Sequence, residues 1–125
     1  MFTYSFEKLD VWQKARMLNI EIYQLTKSFP KEETYGLVQQ IRRASVSITS
    51  NLAEGTSRDS FKEKARFSNI AFSSLMEVLS QLLLAQDLKY IDKNQYQTLR
   101  PLIEEIGNKL NGLKKYQLKQ SKPVV

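Results

Sequence analysis

The chain of 125 residues contains no cysteine and no histidine. Without cysteine it has no disulfide, no thiolate nucleophile and no zinc or iron–sulfur site built on sulfur. Without histidine it has no Ser–His–Asp triad, no imidazole general base and no di-iron site of the Glu-x-x-His type. These two absences exclude most of the common catalytic centres before any motif is considered.

Glycine and proline are scarce, with four and three residues respectively. The glycines lie too far apart for a P-loop or another glycine-rich phosphate cradle. The adjacent acidic pairs Glu32-Glu33 and Glu104-Glu105 each diverge by about 100° on a helix, so neither pair can share one proton or one metal ion. We therefore expect a protein that is not an enzyme and that uses no cofactor and no metal.

Long apolar segments are also missing. The first eight residues have neither the basic start nor the apolar stretch of a secretory signal. The longest aliphatic run covers residues 82–85, whereas a helix needs about 20 apolar residues to cross a bilayer. The sequence therefore predicts a cytoplasmic protein with no membrane partner.

Apolar residues, in contrast, recur at alternating steps of three and four along nearly the whole chain. This spacing is typical of helices that each turn one face towards a core, and short loops favour antiparallel neighbours. We predict an all-α fold, an antiparallel up-down-up-down four-helix bundle, over residues 1–118, with residues 119–125 forming a frayed basic tail. The four apolar seams are Val11, Ala15, Leu18, Ile22 and Leu25; Leu37, Ile41, Ala44, Ile48 and Leu52; Phe61, Ala65, Ser68, Phe72, Leu75, Leu79 and Leu82; and Leu99, Ile103, Ile106, Leu110 and Leu113.

Two residues bear on where the helices end. Gly55 follows the second seam and is predicted to be a left-handed C-terminal cap. Pro101 falls within the fourth seam, where it either kinks the helix or forces a later start at Arg100. We favour the kink, because Tyr96 and Leu99 continue the seam upstream of the proline.

The net charge of +6 is unevenly distributed, because residues 92–125 carry seven Lys or Arg against three Asp or Glu. Five lysines of this segment are predicted to form a basic patch on the fourth helix and its tail, namely Lys109, Lys114, Lys115, Lys119 and Lys122. A basic patch on the fourth helix can neutralise the phosphates of a nucleic acid. It can equally complement the helix dipole and keep the protein in solution, and the sequence leaves both interpretations open.

A polar stripe runs beside the apolar seams of the second and third helices. Serine, threonine and asparagine are poor choices for an exposed helix interior, because their side chains compete for backbone hydrogen bonds. The stripe is consistent with close helix packing, with a contact to another subunit, or with the binding of a phosphate by Arg42, Arg43, Arg58 and Arg66. The residues expected at a subunit interface are Gln40, Ser47, Ser50, Asn51, Glu54, Asn69 and Ser73. Those expected to bind nucleic acid are Arg42, Arg43, Arg58, Lys62, Arg66, Lys114 and Lys115.

Two stretches of the second helix carry a family resemblance, Gln40 to Ile48 with its Ile41-Arg42-Arg43-Ala44 core and Asn51-Leu52-Ala53-Glu54-Gly55. Over about residues 6–115 the chain resembles the bacterial four-helix-bundle proteins encoded in intervening sequences of large-subunit ribosomal RNA genes, which are often labelled ribosomal proteins. It is similar also to the accessory variability proteins of diversity-generating retroelements. The resemblance implies a ring-shaped homopentamer and basic surfaces that bind nucleic acid and a reverse transcriptase, with Arg42 and Arg43 at matching positions.

Two hypotheses of function follow. The first is a non-catalytic, oligomeric helical bundle that binds nucleic acid, with RNA favoured over DNA. The alternative is a protein–protein adaptor that recruits a polymerase or reverse transcriptase, in which the polar stripe is an interface and the lysines only solvate the surface.

Overall fold

The computed structural model describes residues 1–123, which form four long α-helices and two short 3-10 turns. The 3-10 turns cover Ser5–Lys8 and Lys31–Glu33. The helices are α1, Asp10–Thr26; α2, Leu37–Thr56; α3, Phe61–Asp87; and α4, Lys93–Ser121. The predicted helical elements are therefore confirmed.

Each helix packs against its neighbours in the chain, and α1 also packs against α4, which closes the bundle. The connections between helices cover residues 27–36, 57–60 and 88–92, so consecutive helices run in opposite directions. One end of the bundle, which we call the first end, holds the start of α1, the end of α2, the start of α3 and the end of α4. The fold is the predicted all-α four-helix bundle.

The apolar seams predicted from the spacing form the core. Leu18, Ile48, Leu75 and Ile106 are fully buried at its centre, one from each helix. Five seam members are not fully buried, since Phe61 is exposed and four others are half-buried, namely Leu25, Phe72, Leu79 and Leu113. The buried seam residues are Val11, Ala15, Leu18, Ile22, Leu37, Ile41, Ala44, Ile48, Leu52, Ala65, Ser68, Leu75, Leu82, Leu99, Ile103, Ile106 and Leu110.

Buried polar side chains link the helices in pairs. Between α1 and α2, the Ser45 hydroxyl donates to Asn19 Oδ1 at 2.6 Å, and Asn19 Nδ2 donates to Thr49 Oγ1 at 3.1 Å. Between α3 and α4, the Ser68 hydroxyl donates to Gln117 Oε1 at 2.7 Å. Since buried polar groups are costly when unpaired, these contacts explain why small polar residues are tolerated inside the bundle.

The prediction for Gly55 is wrong. The residue lies inside α2, and within residues 1–123 no glycine has a positive φ angle. A Cβ atom at this position would lie 2.9 Å from the Cβ of Phe67 on α3. The glycine is therefore explained by the close approach of two helices, and not by a left-handed cap.

Helix α4 begins before Pro101 and continues through it, which confirms the earlier of the two predicted starts. Its first turn is fixed by a reciprocal cap, because Gln95 N–H donates to the Asp92 carboxylate at 2.8 Å and Asp92 N–H donates to Gln95 Oε1 at 2.9 Å. The helix ends at Ser121, three residues inside the segment 119–125 that was predicted to be frayed. Residues 124 and 125 lie outside the described residues.

Within the part of the chain that the structure describes, α3 is the one helix long and apolar enough to cross a membrane. Its seam of Ala71, Leu75, Val78 and Leu82 is buried against the other helices of the bundle. The core helix of a bundle has the same length and composition, so the apolar character of α3 is accounted for by packing.

Candidate nucleic-acid interface

The seven residues predicted to bind nucleic acid fall into two groups. Arg42 and Arg43 lie in the first half of α2, whereas the other five lie at the first end of the bundle, around the start of α3 and the end of α4. At 1.5 Å per residue, Arg43 and Arg58 are separated by about 20 Å along the bundle axis. The hypothesis that Arg42, Arg43, Arg58 and Arg66 bind one phosphate together is therefore wrong.

Arg42 holds α2 against α1. Its Nε donates to Thr26 Oγ1 at 2.9 Å, its Nη2 donates to the Tyr23 carbonyl at 3.3 Å, and its guanidinium lies 4.5 Å from the centre of the Tyr23 ring. Three contacts to one neighbouring helix identify Arg42 as a packing residue. The adjacent Arg43 is exposed and lines an open groove of about 440 Å³ between α1 and α2.

At the first end of the bundle, two arginines lie against the same aromatic ring. The guanidinium groups of Arg58 and Arg66 lie 4.5 Å and 4.8 Å from the centre of the buried Phe67 ring. Arg58 also contacts Glu54 at 3.5 Å, and Arg66 contacts Glu63 at 3.1 Å. These ion pairs are exposed and contribute little to stability, but together with the ring they hold both guanidinium groups in place.

A groove of about 320 Å³ runs between α3 and α4 next to these arginines. Lys62, Arg66 and Lys114 line it, and Lys114 Nζ donates to Asn69 Oδ1 at 2.8 Å. Glu63 is the single acidic residue in the lining, and Arg66 already contacts it. Ala65 and Leu118 also line the groove, so it offers apolar groups beside the cations.

The basic character extends beyond the groove. We give the name basic end to the surface formed by residues 54–66 and 114–121, which has seven cationic side chains, Arg58, Lys62, Lys64, Arg66, Lys114, Lys115 and Lys119, against the three acids Glu54, Asp59 and Glu63. Within residues 1–123, none of the ion pairs involves Lys62, Lys114, Lys115 or Lys119. Four ammonium groups on one surface are thus available to an anion.

Lys109, by contrast, is not part of this surface. It pairs with the carboxylate of Asp10 on α1 and lies 3.3 Å from Glu105, which in turn lies 3.7 Å from Lys14. The hydrogen bond from Lys109 lowers the pKa of Asp10, and the same bond raises the pKa of Lys109. These four charges join α1 to α4 and neutralise one another.

Three residues of the basic end were not identified from the sequence. Lys64 Nζ donates to the Thr56 carbonyl at 3.2 Å and lies 5.8 Å from the centre of the Phe61 ring. Phe61 itself contacts Tyr116 edge-to-face, with the ring centres 6.2 Å apart. The one signal in the sequence is that each aromatic residue is adjacent to a predicted site lysine, Lys62 or Lys115.

Most of the residues predicted at a subunit interface have partners within the chain. The hydroxyl groups of Ser47 and Ser74 are 2.9 Å apart, and Asn51 Nδ2 donates to the Ser47 carbonyl at 2.8 Å, so this part of the stripe joins α2 to α3. Glu54 contacts Arg58 and Asn69 contacts Lys114, as described above. The stripe members that remain exposed and open to another molecule are Gln40, Ser50 and Ser73.

Exposed apolar side chains gather on a different surface. Met76, Leu83, Leu84 and Leu88 on the outer side of α3 are each about two-fifths or more exposed. We call this surface the α3 face. It also carries Glu77 and Asp87, and residues 67–88 contain no lysine or arginine.

The α1–α2 groove has the opposite charge. It is lined by Arg43 together with Tyr35 and Val46, and no acidic residue occurs between residues 34 and 53.

Fold and surface together define a small all-α bundle protein with a cationic end, and no group of three or more acidic side chains within residues 1–123 is arranged to hold a metal ion. The family model of the 23S rRNA-intervening sequence protein matches residues 7–112. The chain therefore belongs to this family.

A crystal structure of a protein of unknown function from the S23 ribosomal protein family of Bacteroides thetaiotaomicron has the same fold. It superposes with a TM-score of 0.77 and 26% sequence identity, and the match covers 84% of this chain and 95% of the other. No curated protein matches the chain. Neither the family description nor that of the structure names a catalytic activity.

Proposed function

We propose that this chain is a non-catalytic, cytoplasmic RNA-binding module that contacts RNA phosphates through the basic end. The observation that carries the proposal is the excess of seven cations over three acids on that surface, with two of the acids already contacting Arg58 and Arg66. The family name, which refers to an intervening sequence of 23S rRNA, supports RNA as the nucleic acid.

The arrangement of the cations suits phosphates. Lysine ammonium groups are mobile point charges, and Lys62, Lys114 and Lys115 supply several along one strip of the surface. Arg58 and Arg66 are held by Phe67, so they lose less side-chain entropy when they bind an anion. Contacts of this kind give affinity without reading a base sequence. We therefore expect RNA binding that depends on salt and has little sequence preference.

A charge-matched pair of triple variants tests the assignment. In the first, Lys62, Lys114 and Lys115 are changed to alanine; in the second, Lys27, Lys31 and Lys93 at the opposite end are changed, so both proteins lose the same charge. For a 15-nucleotide RNA, the first variant should reduce the slope of log K against log salt by about 2, because each lost phosphate contact removes about 0.7. The second should keep the wild-type slope. Equal losses in both variants would show that only net charge attracts RNA.

We propose in addition that copies of the chain associate through the α3 face and the α1–α2 groove. The two surfaces are complementary, since one is apolar with Glu77 and Asp87 and the other is partly apolar with Arg43. Each contact uses the α3 face of one copy and the α1–α2 groove of the next, so every copy can bind two others and the copies form either a closed ring or an open filament. The homopentamer implied by the family resemblance is one such ring.

Light scattering of the purified protein tests this association. We expect a wild-type oligomer, and a monomer for both Leu84→Lys and Val46→Lys, because each places a buried ammonium group in the contact. Gln97→Lys on the exposed side of α4 is the control and should remain oligomeric. A monomeric wild type would contradict self-association and leave the α3 face for a different protein, as the adaptor hypothesis requires.

A further inference from the structure

The basic end carries an exposed pair of aromatic side chains from two distant parts of the sequence. Phe61 begins α3 and Tyr116 lies in the last turns of α4, and their ring centres are 6.2 Å apart at an interplanar angle of 82°. Phe61 is 37% exposed and Tyr116 is 55% exposed, so another molecule can reach both side chains from the solvent. Neither side chain is enclosed in the core.

The pair stands among the cations of the basic end. Lys62 follows Phe61 in the chain, Lys115 precedes Tyr116, and Lys64 Nζ lies 5.8 Å from the centre of the Phe61 ring. Proteins that bind single-stranded nucleic acid combine these two features, since cations follow the phosphates while bases stack on aromatic rings. In a duplex the bases are already stacked inside the helix and cannot reach a surface ring.

We infer that Phe61 and Tyr116 form a stacking platform for unpaired bases, so that the basic end binds single-stranded RNA in preference to duplex RNA. This inference rests on the proposed function and specifies its ligand. The phosphates of the strand lie along Lys62, Lys114 and Lys115, and one or two bases stack on the aromatic pair.

The two variants Tyr116→Leu and Tyr116→Phe distinguish base stacking from a nonspecific apolar contact, because leucine retains apolar volume but has no π face. The probes are a 15-nucleotide oligouridylate and a 15-base-pair RNA duplex, and binding is measured by fluorescence anisotropy. We expect Tyr116→Leu to weaken oligouridylate binding about five- to hundred-fold, the range found when one stacking aromatic is removed. Tyr116→Phe should bind as the wild type does.

A second readout distinguishes stacking from charge. Stacking releases no counterions, so Tyr116→Leu should leave the salt slope of oligouridylate binding unchanged while lowering the affinity at every salt concentration. Duplex affinity should also be unchanged. Tyr96→Leu is the control, because Tyr96 lies in the first turn of α4, at the end of the bundle opposite the basic end. Thermal melts of all variants establish that each is folded.

The outcomes separate this inference from the proposed function. Suppose that the wild type binds both probes and that Tyr116→Leu changes neither affinity or changes both equally. The inference of a stacking platform is then wrong, while RNA binding at the basic end stands. The same holds if Tyr116→Phe is as defective as Tyr116→Leu. If the wild type binds neither probe at low salt, both the proposed function and the platform are wrong.

Discussion

The Cβ atom that alanine would add at Gly55 lies 2.9 Å from Phe67 Cβ, closer than two carbon atoms of packed side chains approach. Phe67 cannot withdraw easily, because it is buried and carries Arg58 and Arg66 on its ring. The glycine thus sets the distance between α2 and α3 where the basic end begins. A larger residue would separate the two helices and move both arginines.

We predict that Gly55→Ala lowers the free energy of unfolding by about 1–3 kcal/mol, the usual cost of overpacking a core. Gly112→Ala is the matched control, since it lies inside α4 with no atom within 4 Å of the added Cβ, and it should raise the free energy of unfolding by about 0.8–1 kcal/mol through helix propensity. Urea denaturation measures both. A stabilising Gly55→Ala would refute the close approach.

The same residue shows where sequence reasoning is limited. A glycine at the end of an apolar seam fits a left-handed cap and a close helix contact equally well, and only the position of Phe67 on the next helix decides between them. Likewise, an arginine in a polar stripe gives no sign of whether it will bind its own neighbour, as Arg42 binds Thr26, or remain open, as Arg43 does. Such partners depend on the rotation of one helix against another.

At the scale of the helices, the sequence predicts much more. The seams of Leu37 to Leu52 and Leu99 to Leu110 are the buried faces of α2 and α4, because burial follows a period that is visible in one helix alone. The reciprocal cap of Asp92 and Gln95 likewise depends on residues only three apart in the chain. The pairing of polar residues across helices, such as Ser68 with Gln117, involves residues 49 apart and could not be predicted.

The contact between α1 and α4 makes stability depend on pH. The hydrogen bond from Lys109 holds the pKa of Asp10 below its ordinary value of 3.8, so the folded protein favours the ionised carboxylate more than the unfolded chain does. The resulting contribution to the free energy of unfolding is present above the ordinary pKa of Asp10 and is lost as the pH falls through the lowered pKa. At high pH it fades again as Lys109, whose pKa is raised above 10.5, loses its proton.

We predict that Asp10→Asn is less stable than the wild type at neutral pH and that the difference disappears as the pH falls through the lowered pKa of Asp10, where the carboxyl group of the wild type becomes as uncharged as the amide of the variant. Glu21→Gln, an exposed acid of α1 outside the ion pairs found within residues 1–123, is the control and should show no such convergence. Urea denaturation at a series of pH values provides the measurement. A difference independent of pH would contradict the ion pair.

For the whole molecule, the distribution of charge matters more than its total. The net charge calculated from the sequence is +6, and residues 92–125 carry an excess of basic residues. The fold brings the end of α4 beside the start of α3, so Lys114 and Lys115 join Lys62 and Arg66, while Lys109 is neutralised by Asp10. Five of the seven predicted binding residues therefore share one surface, and their binding of RNA stays a prediction.

The salt dependence of RNA binding tests the central claim most directly. For the wild-type protein and a 15-nucleotide oligouridylate, log K measured across increasing salt should fall linearly with a slope of about −3, which corresponds to four phosphate contacts on a single strand. Four is the number of ammonium groups of the basic end that contact neither an acid nor a backbone carbonyl within the described residues, since the fifth, Lys64, donates to the Thr56 carbonyl. A slope of zero, or no binding at low salt, would contradict the account.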